Sequence, residues 1–352
     1  MNNSISVIVP VFNRESLIST TLNSLLNQTL PAGEIIVVDD GSTDSTVASV
    51  KKTFAIFNQR EKAKNKKITL KILSQKNAGP GSARNRGFLE SKGEFIHFFD
   101  SDDIAARNKH EVQLEVLQKN NADIAYCPWV KGRFQKVKKR EQDQIEFIPE
   151  GYILQLKGLP QGNLIQELLT RWSVVPHACL FRRSIVEKVG GFPVDLFGTE
   201  DQLMFLRCLL FGARVIHTPG TLEFYRTGND LKITGSGFPT RLHNLEWAKF
   251  LVLAKRECLK NGINPLRWSK FRMRCWLACR ALENNKKEYF HIYQELTSFL
   301  KKTDKPFFYL FSLFHRIQGG ISQRVRGHRA NKSFCCGRFT RSDAALLPFP
   351  LT

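Results

Sequence analysis

The segment Glu94-Phe95-Ile96-His97-Phe98-Phe99-Asp100-Ser101-Asp102-Asp103 is an apolar run that ends at three acidic residues. The apolar part predicts a buried β-strand, and the acidic residues mark the loop that follows it. Carboxylates that lie close together repel one another, so a cation or strong hydrogen-bond donors must stand near them. A divalent ion held against substrate phosphates meets that need, and an Asp-rich turn or helix cap is the alternative.

Similar strand-like runs precede this segment at residues 5–11, 34–38 and 68–73, with helical patterns between them. Strands that alternate with helices predict an α/β fold, with a mainly parallel sheet flanked by helices. The carboxyl ends of parallel strands meet at one edge of a sheet, where ligands bind. The polar loops after the strands at 5–11, 34–38 and 94–99 should therefore form one site.

The pattern changes along the rest of the chain. Strand-like runs lie at 123–130, 145–148 and 174–181, and helical patterns at 184–189, 200–211, 242–260, 268–281 and 287–300. We expect an α/β domain over residues 1–235, a helical basic extension over 236–323 and a disordered basic tail over 324–352.

The positive charge is concentrated late in the chain. The formal net charge of the 352 residues is +21, and 22 Lys and Arg against 7 Asp and Glu after residue 240 supply +15 of it. Nucleic acid, an anionic membrane surface, a polyanionic substrate or plain solvation of a basic face can each explain such a segment. The aromatic run at 306–316 can lie on an anionic membrane or close over the first domain.

The cysteines and the apolar segments bear on compartment. None of the eight cysteines forms a CxxC pair, and Cys275 and Cys279 share one helix face, which favours core packing over metal binding. The first residues lack a signal-peptide pattern, and no apolar run reaches the roughly 18–20 residues of a membrane helix. We expect a cytoplasmic protein, soluble or peripheral on the inner face of the membrane.

Three further polar segments carry candidate chemistry. Asp39 and Asp40 follow a strand and can accept bonds from a base or ribose, or simply cap their loop. The small residues at 77–83, followed by Arg84, suit close approach to a phosphate, although the segment is neither a P-loop nor a GxGxxG motif. The acidic pair at 200–201 can cap a helix or supply a general base.

Taken in order, these segments resemble the family 2 glycosyltransferases. The motifs that carry the resemblance are residues 7–15, 38–44, 79–87, 99–103 and 182–201, and it extends over about residues 4–226. It implies a GT-A fold and an inverting enzyme that moves a sugar from a nucleotide diphosphate to an acceptor hydroxyl. It also implies Mn²⁺ or Mg²⁺ and a role in cell-surface polysaccharide or glycolipid synthesis, with a glycan or lipid-linked acceptor.

The resemblance implies a role for each matched position. Asp201 would be the catalytic base, and Asp102 or Asp103 would hold the metal. Asp40 would bond the base, and Arg84 would brace the nucleotide. The residues expected to contact the nucleotide sugar are Pro10, Asn13, Glu15, Asp40, Arg84, Asp100, Glu200 and Arg226.

Two other functions compete with transfer. The basic C-terminal third can bind nucleic acid or a membrane, but no recognised nucleic-acid motif is present, so we do not expect nucleic acid as a partner. A catalytically silent nucleotide-sugar binder is the other, and the intact Asp102, Asp103 and Asp201 argue against it. His177 can line the acceptor site or pack in the core, and His217 lies near the end of the matching region.

Overall fold

A central sheet organises the computed structural model, which describes residues 4–61, 68–139, 142–150, 152–228 and 240–302, together with 304, 308, 337 and 338. The strands are β1 (Ile5–Val11), β2 (Glu34–Asp39), β3 (Thr69–Ser74), β4 (Phe95–Phe98), β5 (Ile104–Ala105), β6 (Ile124–Tyr126), β7 (Trp129–Lys139), β8 (Gln142–Pro149), β9 (Tyr152–Ile153), β10 (Cys179–Arg182), β11 (Val215–His217), β12 (Glu223–Arg226) and β13 (Gly337–Arg338). The helices are α1 (Ile18–Leu26), α2 (Thr46–Glu61), α3 (Pro80–Glu90), α4 (Lys109–Lys119), α5 (Leu164–Thr170), α6 (Arg183–Val189), α7 (Glu200–Leu210), α8 (Thr240–Lys260), α9 (Ser269–Leu282) and α10 (Phe290–Ser298).

The seven-stranded sheet has the order β11-β6-β10-β4-β1-β2-β3. β1 pairs in parallel with β2 and β4, β2 with β3, and β6 with β11, whereas β10 runs antiparallel to both of its neighbours. β1 and β2 are buried along their whole length, because helices cover both faces of a parallel sheet. The predicted mainly parallel α/β fold is confirmed, and the loops after β1, β2 and β4 meet at one edge as expected.

One predicted strand is shorter than its apolar run. The run at 174–181 begins as an irregular segment and a 3₁₀ turn at Pro176–Ala178, and only Cys179–Arg182 pairs in the sheet. Proline lacks the N–H that a central strand must donate, so pairing begins after it. The turn leaves His177 at the edge where the loops gather.

A smaller sheet stands beside the site edge, in the order β5-β12-β7-β8. β5 directly follows the acidic loop and pairs antiparallel with β12, while β12 pairs in parallel with β7. β7 and β8 form a long antiparallel hairpin. The sequence predicted only the start of β7, within 123–130, and residues 145–148 of β8. This sheet places β12 against the acidic residues that follow β4.

The last helices share the core of the sheet. Leu245 and Phe250 of α8, Phe271 of α9 and Leu296 of α10 belong to the same buried cluster as Phe98 of β4. The predicted boundary near residue 235 falls within 229–239, outside the described residues. The proposed tail at 324–352 also lies outside them, except that β13 pairs with β9.

None of the helices in the described ranges combines the length and apolar character required to cross a bilayer. The six cysteines that the structure describes are buried, including Cys275 and Cys279. Both lie on the face of α9 that packs into the hydrophobic core, as their shared helix face predicted.

Candidate active site

A buried histidine bridges two carboxylates of the acidic loop. His177 Nδ1 donates to Asp100 Oδ2 at 3.0 Å, and its Nε2 lies 3.4 Å from Asp103 Oδ2. Burial disfavours the charged imidazole, but Asp103 and the hydrogen bond to Asp100 raise the pKa of His177 above its usual value. His177 therefore lies between the two acids and is packed in the interior rather than open to an acceptor.

Arg84 joins the acidic loop to the Glu-Asp pair of α7. Its two terminal nitrogens donate to Asp100 Oδ1 and to Glu200 Oε1, each at 2.8 Å. The guanidinium also lies over the ring of Phe192, 5.1 Å from its centre. Burial opposes the charge of Arg84, but the two carboxylates outweigh that effect and raise its pKa. Residues that are 116 positions apart in the chain are therefore fixed in one cluster.

Asp201 lies beside this cluster at the start of α7. Its Oδ1 accepts the backbone N–H of Gln202 at 2.7 Å. Burial and the neighbouring negative charge of Glu200 raise the pKa of Asp201 to about 7, against the partial compensation of Arg84. A carboxyl group with a pKa near neutrality can accept a proton at physiological pH, which is the property required of a general base.

The remaining members of the acidic loop have arginine partners. Asp102 Oδ2 lies 3.7 Å from Arg14 Nε. Asp103 Oδ1 accepts the backbone N–H of Arg226 at 2.8 Å, and Arg226 Nε donates to the Asp102 carbonyl oxygen at 2.7 Å. Arg226 therefore contacts the acidic loop, and its predicted contact with the nucleotide sugar remains a prediction. Arg14 is a further basic residue that the sequence analysis did not select.

The loops after β1 and β2 hold each other. Pro10 is the second-last residue of β1 and pairs opposite Val38 of β2. Asn13 has a positive φ of 50°, which Asn tolerates better than most residues, and its Oδ1 accepts the N–H of Thr43 at 2.9 Å. Glu15 Oε2 accepts the N–H of Ser45 at 2.9 Å. Asn13 and Glu15 thus join the loop after β1 to the loop after β2, and their predicted contact with the nucleotide sugar remains a prediction.

Asp40 fixes the turn that precedes α3. Its carboxylate accepts the backbone N–H groups of Ala78 and Gly79, each at 2.9 Å, and the side chain of Gln75 at 2.8 Å. Gly79 has a φ of 87°, a conformation that favours glycine. The structure therefore shows Asp40 holding the turn, and its predicted contact with the base remains a prediction.

The sequence profile described as Glycosyl transferase family 2 matches residues 6–190, more than half of the chain. This protein belongs to glycosyltransferase family 2. An uncharacterised glycosyltransferase of Haemophilus influenzae is 36% identical over 261 residues, which are 72% of this chain and 89% of that protein. The poly(ribitol-phosphate) beta-glucosyltransferase of Bacillus spizizenii is 30% identical over 224 residues, which are 63% of this chain and 32% of that protein.

The solved structures show the same fold. Residues 1–349 of S. aureus TarS superpose with a TM-score of 0.55 at 23% identity, over 77% of this chain and 71% of that one. The mannosyltransferase PcManGT of Pyrobaculum calidifontis, in complex with GDP-Man and Mn²⁺, gives 0.53 at 18% identity, over 88% and 84%. The predicted GT-A fold is confirmed. The chain spans only 15% of a Rickettsia bellii glycosyltransferase that it matches at 39% identity over 117 residues.

The acidic loop and His177 together offer ligand atoms for a divalent cation. Asp100, Asp103 and His177 offer ligand atoms that all lie within 4.8 Å of one another. Carboxylate oxygens are the ligands that Mg²⁺ and Mn²⁺ prefer, so the donor set fits. Asp103 belongs both to the predicted ligand pair and to this group, whereas Asp102 lies outside it, beside Arg14.

Beneath the site lies a buried ion pair that the sequence analysis missed. Lys109 Nζ lies 3.2 Å from Glu223 Oε2 and 3.0 Å from Cys127 Sγ, and both charged side chains are fully buried. Burial raises the pKa of Glu223 to about 8, although Lys109 and His177 favour its ionised form. Lys109 begins a helix and Glu223 begins a short strand, so no local pattern marks either of them.

His217, the other histidine considered, lies in β11 away from the carboxylates. Its Nε2 is 2.8 Å from the carbonyl oxygen of Gln155. This contact links β11 to the segment after β9, which is a structural role for His217.

Proposed function

We propose that this protein transfers a sugar from a nucleotide diphosphate donor to an acceptor hydroxyl, with Asp201 as the general base. The observation that carries the proposal is the position of Asp201, at the start of α7 beside a cluster in which Arg84 links Glu200 to Asp100. Burial and Glu200 raise the pKa of Asp201 to about 7, so it can take a proton from a sugar hydroxyl near neutral pH.

The remaining residues of the site either hold the loops that would bind the donor or position the carboxylates. Asn13, Glu15 and Asp40 hold the loops at the nucleotide end, and Pro10 lies near the end of the strand beneath them. Arg84 holds Asp100 and Glu200 at the other end. Transfer in a single displacement would invert the anomeric centre, because Asp201 activates the acceptor directly and the donor sugar forms no bond to the protein.

Asp100, Asp103 and His177 would hold Mn²⁺ or Mg²⁺, which would supply Lewis-acid stabilisation of the departing diphosphate. A Mn²⁺-bound structure of the mannosyltransferase PcManGT supports this choice of ion. Arg226 and Arg14 lie beside the same loop. Their positive charges would offset the negative charge of the carboxylates when the anionic donor binds.

The acceptor would be a cell-surface glycan or a lipid-linked sugar at the cytoplasmic face of a membrane. The support is the similarity to a poly(ribitol-phosphate) beta-glucosyltransferase and the basic composition after residue 240. The TarS structure in complex with UDP, at a TM-score of 0.55 and 20% identity, makes UDP-sugars the first donors to test.

A ligand panel tests the donor site. Thermal unfolding is measured with UDP-, GDP- and dTDP-sugars, each with and without Mn²⁺, and a CMP-sugar serves as the monophosphate control. Ligand at about 100 times its Kd adds about 2.7 kcal/mol of stability, which is a rise of several degrees. A metal-dependent rise for one donor that disappears in Asp103→Ala supports the site, and no rise from folded protein contradicts it.

The base assignment is tested by Asp201→Asn, which keeps the size of the side chain but cannot accept the proton. We expect loss of transfer by a factor of at least about 10² with donor binding retained. A variant that transfers at the wild-type rate would refute the base role. Wild-type protein that binds donor but transfers to no acceptor in a broad panel would favour the silent binder.

A further inference from the structure

Helix α8, which lies beyond the matched family region, holds the loop that leads into α7. The backbone N–H of Phe197 donates to Glu246 Oε2 at 2.6 Å. The hydroxyl of Thr199 donates to the backbone oxygen of Glu246 at 3.3 Å. Glu246 is buried, and its other carboxylate oxygen accepts from Lys249 Nζ at 2.7 Å, which offsets the cost of burying the charge.

The side chain of Thr199 bonds α8 instead of capping its own helix. It occupies the N-cap of α7, where a threonine side chain usually accepts a hydrogen bond from its own helix. Its side chain makes no such bond, and the hydroxyl donates to α8 instead. The start of the catalytic helix is therefore positioned by a residue of another helix.

The loop at 197–199 contacts both the Glu-Asp pair of α7 and the turn before α3. The N–H of Gly198 donates to Glu200 Oε2 at 2.6 Å, and the other oxygen of Glu200 binds Arg84. The ring of Phe197 lies so close to Gly79 that a Cβ there would be 3.0 Å from it. Gly79 belongs to the turn held by Asp40. A shift of the loop would thus disturb the Glu-Asp pair and the nucleotide turn together.

We propose that Glu246 is a positioning residue of the transfer reaction, which fixes the loop at 197–199 and thereby the start of α7. The proposal rests on the proposed role of Asp201 as the base. From α8, the Glu246 side chain accepts the Phe197 N–H and the Glu246 backbone oxygen accepts the Thr199 hydroxyl. The helical extension thus completes the catalytic domain rather than serving only as a basic surface.

The kinetic test compares Glu246→Ala with Glu246→Gln, using the sugar nucleotide that gives the largest stabilisation. Misplacement of a reacting group by about 1 Å costs on the order of 10²-fold in rate, so Glu246→Ala should lower kcat by about that factor. Gln keeps an acceptor oxygen for the Phe197 N–H, so kcat should recover to within about fivefold of wild type.

Glu257→Ala is the matched control. Glu257 also lies on α8 and also ties it to α7, through Arg207 at 3.2 Å, but far along the helix from the loop. It should keep kcat within about twofold of wild type, because this half-buried ion pair does not contact the loop at 197–199. Glu246→Ala with kcat within threefold of wild type, or with a loss equal to that of Glu257→Ala, would overturn the proposal.

Amide hydrogen exchange separates this proposal from the function on which it rests. Glu246→Ala should speed exchange of the Phe197 amide about tenfold, the factor expected for one lost hydrogen bond, and Glu257→Ala should not. Unchanged exchange would overturn the positioning role whatever the activity. Faster exchange in a protein whose wild type transfers no sugar would instead refute the proposed function and leave the loop contact in place.

Discussion

Replacing Arg84 with Met tests the connection between the acidic loop and the Glu-Asp pair. Methionine retains much of the apolar stem but removes the guanidinium that binds Asp100 and Glu200. The buried carboxylates then lose their shared cation. We expect the free energy of unfolding to fall by about 3–4 kcal/mol.

The magnitude follows from the exposure of the two partners. A hydrogen bond to a charged group contributes about 1.5–3 kcal/mol, and removal of one partner of a buried pair costs about 3–5 kcal/mol. The side chain of Glu200 is only 4% exposed and cannot regain water, so its share is close to the full value. The side chain of Asp100 is 27% exposed and also binds His177, so its share is smaller.

The dependence on pH gives a second signature. Burial acts to raise the pKa of Asp100, but Arg84 and His177 lower it below the usual value. A carboxyl group with a lowered pKa in the folded state contributes stability above its unfolded pKa of about 3.9, and that stability is lost as the pH falls through the folded value. The difference between wild type and Arg84→Met should therefore be full at pH 7 and shrink below about pH 4.

Urea denaturation at pH 7 measures the loss, with Arg86→Met as the matched control on α3. Arg86 donates to the backbone oxygen of Ser74 at an exposed position, so its loss should change stability by less than about 0.5 kcal/mol. Adding Glu200→Gln to Arg84→Met should restore about 1–2 kcal/mol, because the uncompensated buried charge is removed. A loss below 1 kcal/mol in Arg84→Met, or purely additive losses in the double variant, would refute the reasoning.

Two further predictions concern buried carboxyl groups. Because Asp201 has a pKa of about 7 in the free protein and must be ionised to accept a proton, kcat/KM should rise with pH and level off above about 7. A flat profile of kcat/KM from pH 5 to 8 in a transfer assay would contradict the assignment. Lys109→Met should lower the free energy of unfolding by about 1–3 kcal/mol, because it leaves the buried carboxyl group of Glu223 without its polar partner. In thermal or urea unfolding, a second change, Glu223→Met, should recover part of that loss because no buried polar group then lacks a partner. An unchanged stability in Lys109→Met would show that the pair does not bind as described.

The sequence predicts the part of the fold that depends on local patterns. β-branched runs predicted β1, β2, β3 and β4, and their parallel pairing brought the loops after β1, β2 and β4 to one edge. The antiparallel insertion of β10 between β4 and β6 was not predictable, because its direction depends on the route of the chain through the 3₁₀ turn. Pro176 in turn shortened that strand.

The candidate site divides in the same way. The sequence selected Arg84, Asp100 and Glu200, and the structure joins these three side chains in one cluster. It did not assign His177 to the two carboxylates, because the ring enters from a turn far along the chain. Motif recognition finds residues whose spacing is fixed, and it does not find a partner whose position depends on tertiary packing.

The contacts that fix the site most firmly are those between distant segments. Arg84 meets Glu200 across 116 positions, and Phe197 meets Glu246 across 49. The first contact joins α3 to α7, and the second joins the α7 loop to a helix outside the matched family region. A buried hydrogen bond persists only where both partners are held by packing, and α8 shares the core of the sheet. The geometry of Glu200 and Asp201 therefore depends also on Glu246, which lies outside every motif, and a chain cut after β12 would lose that support.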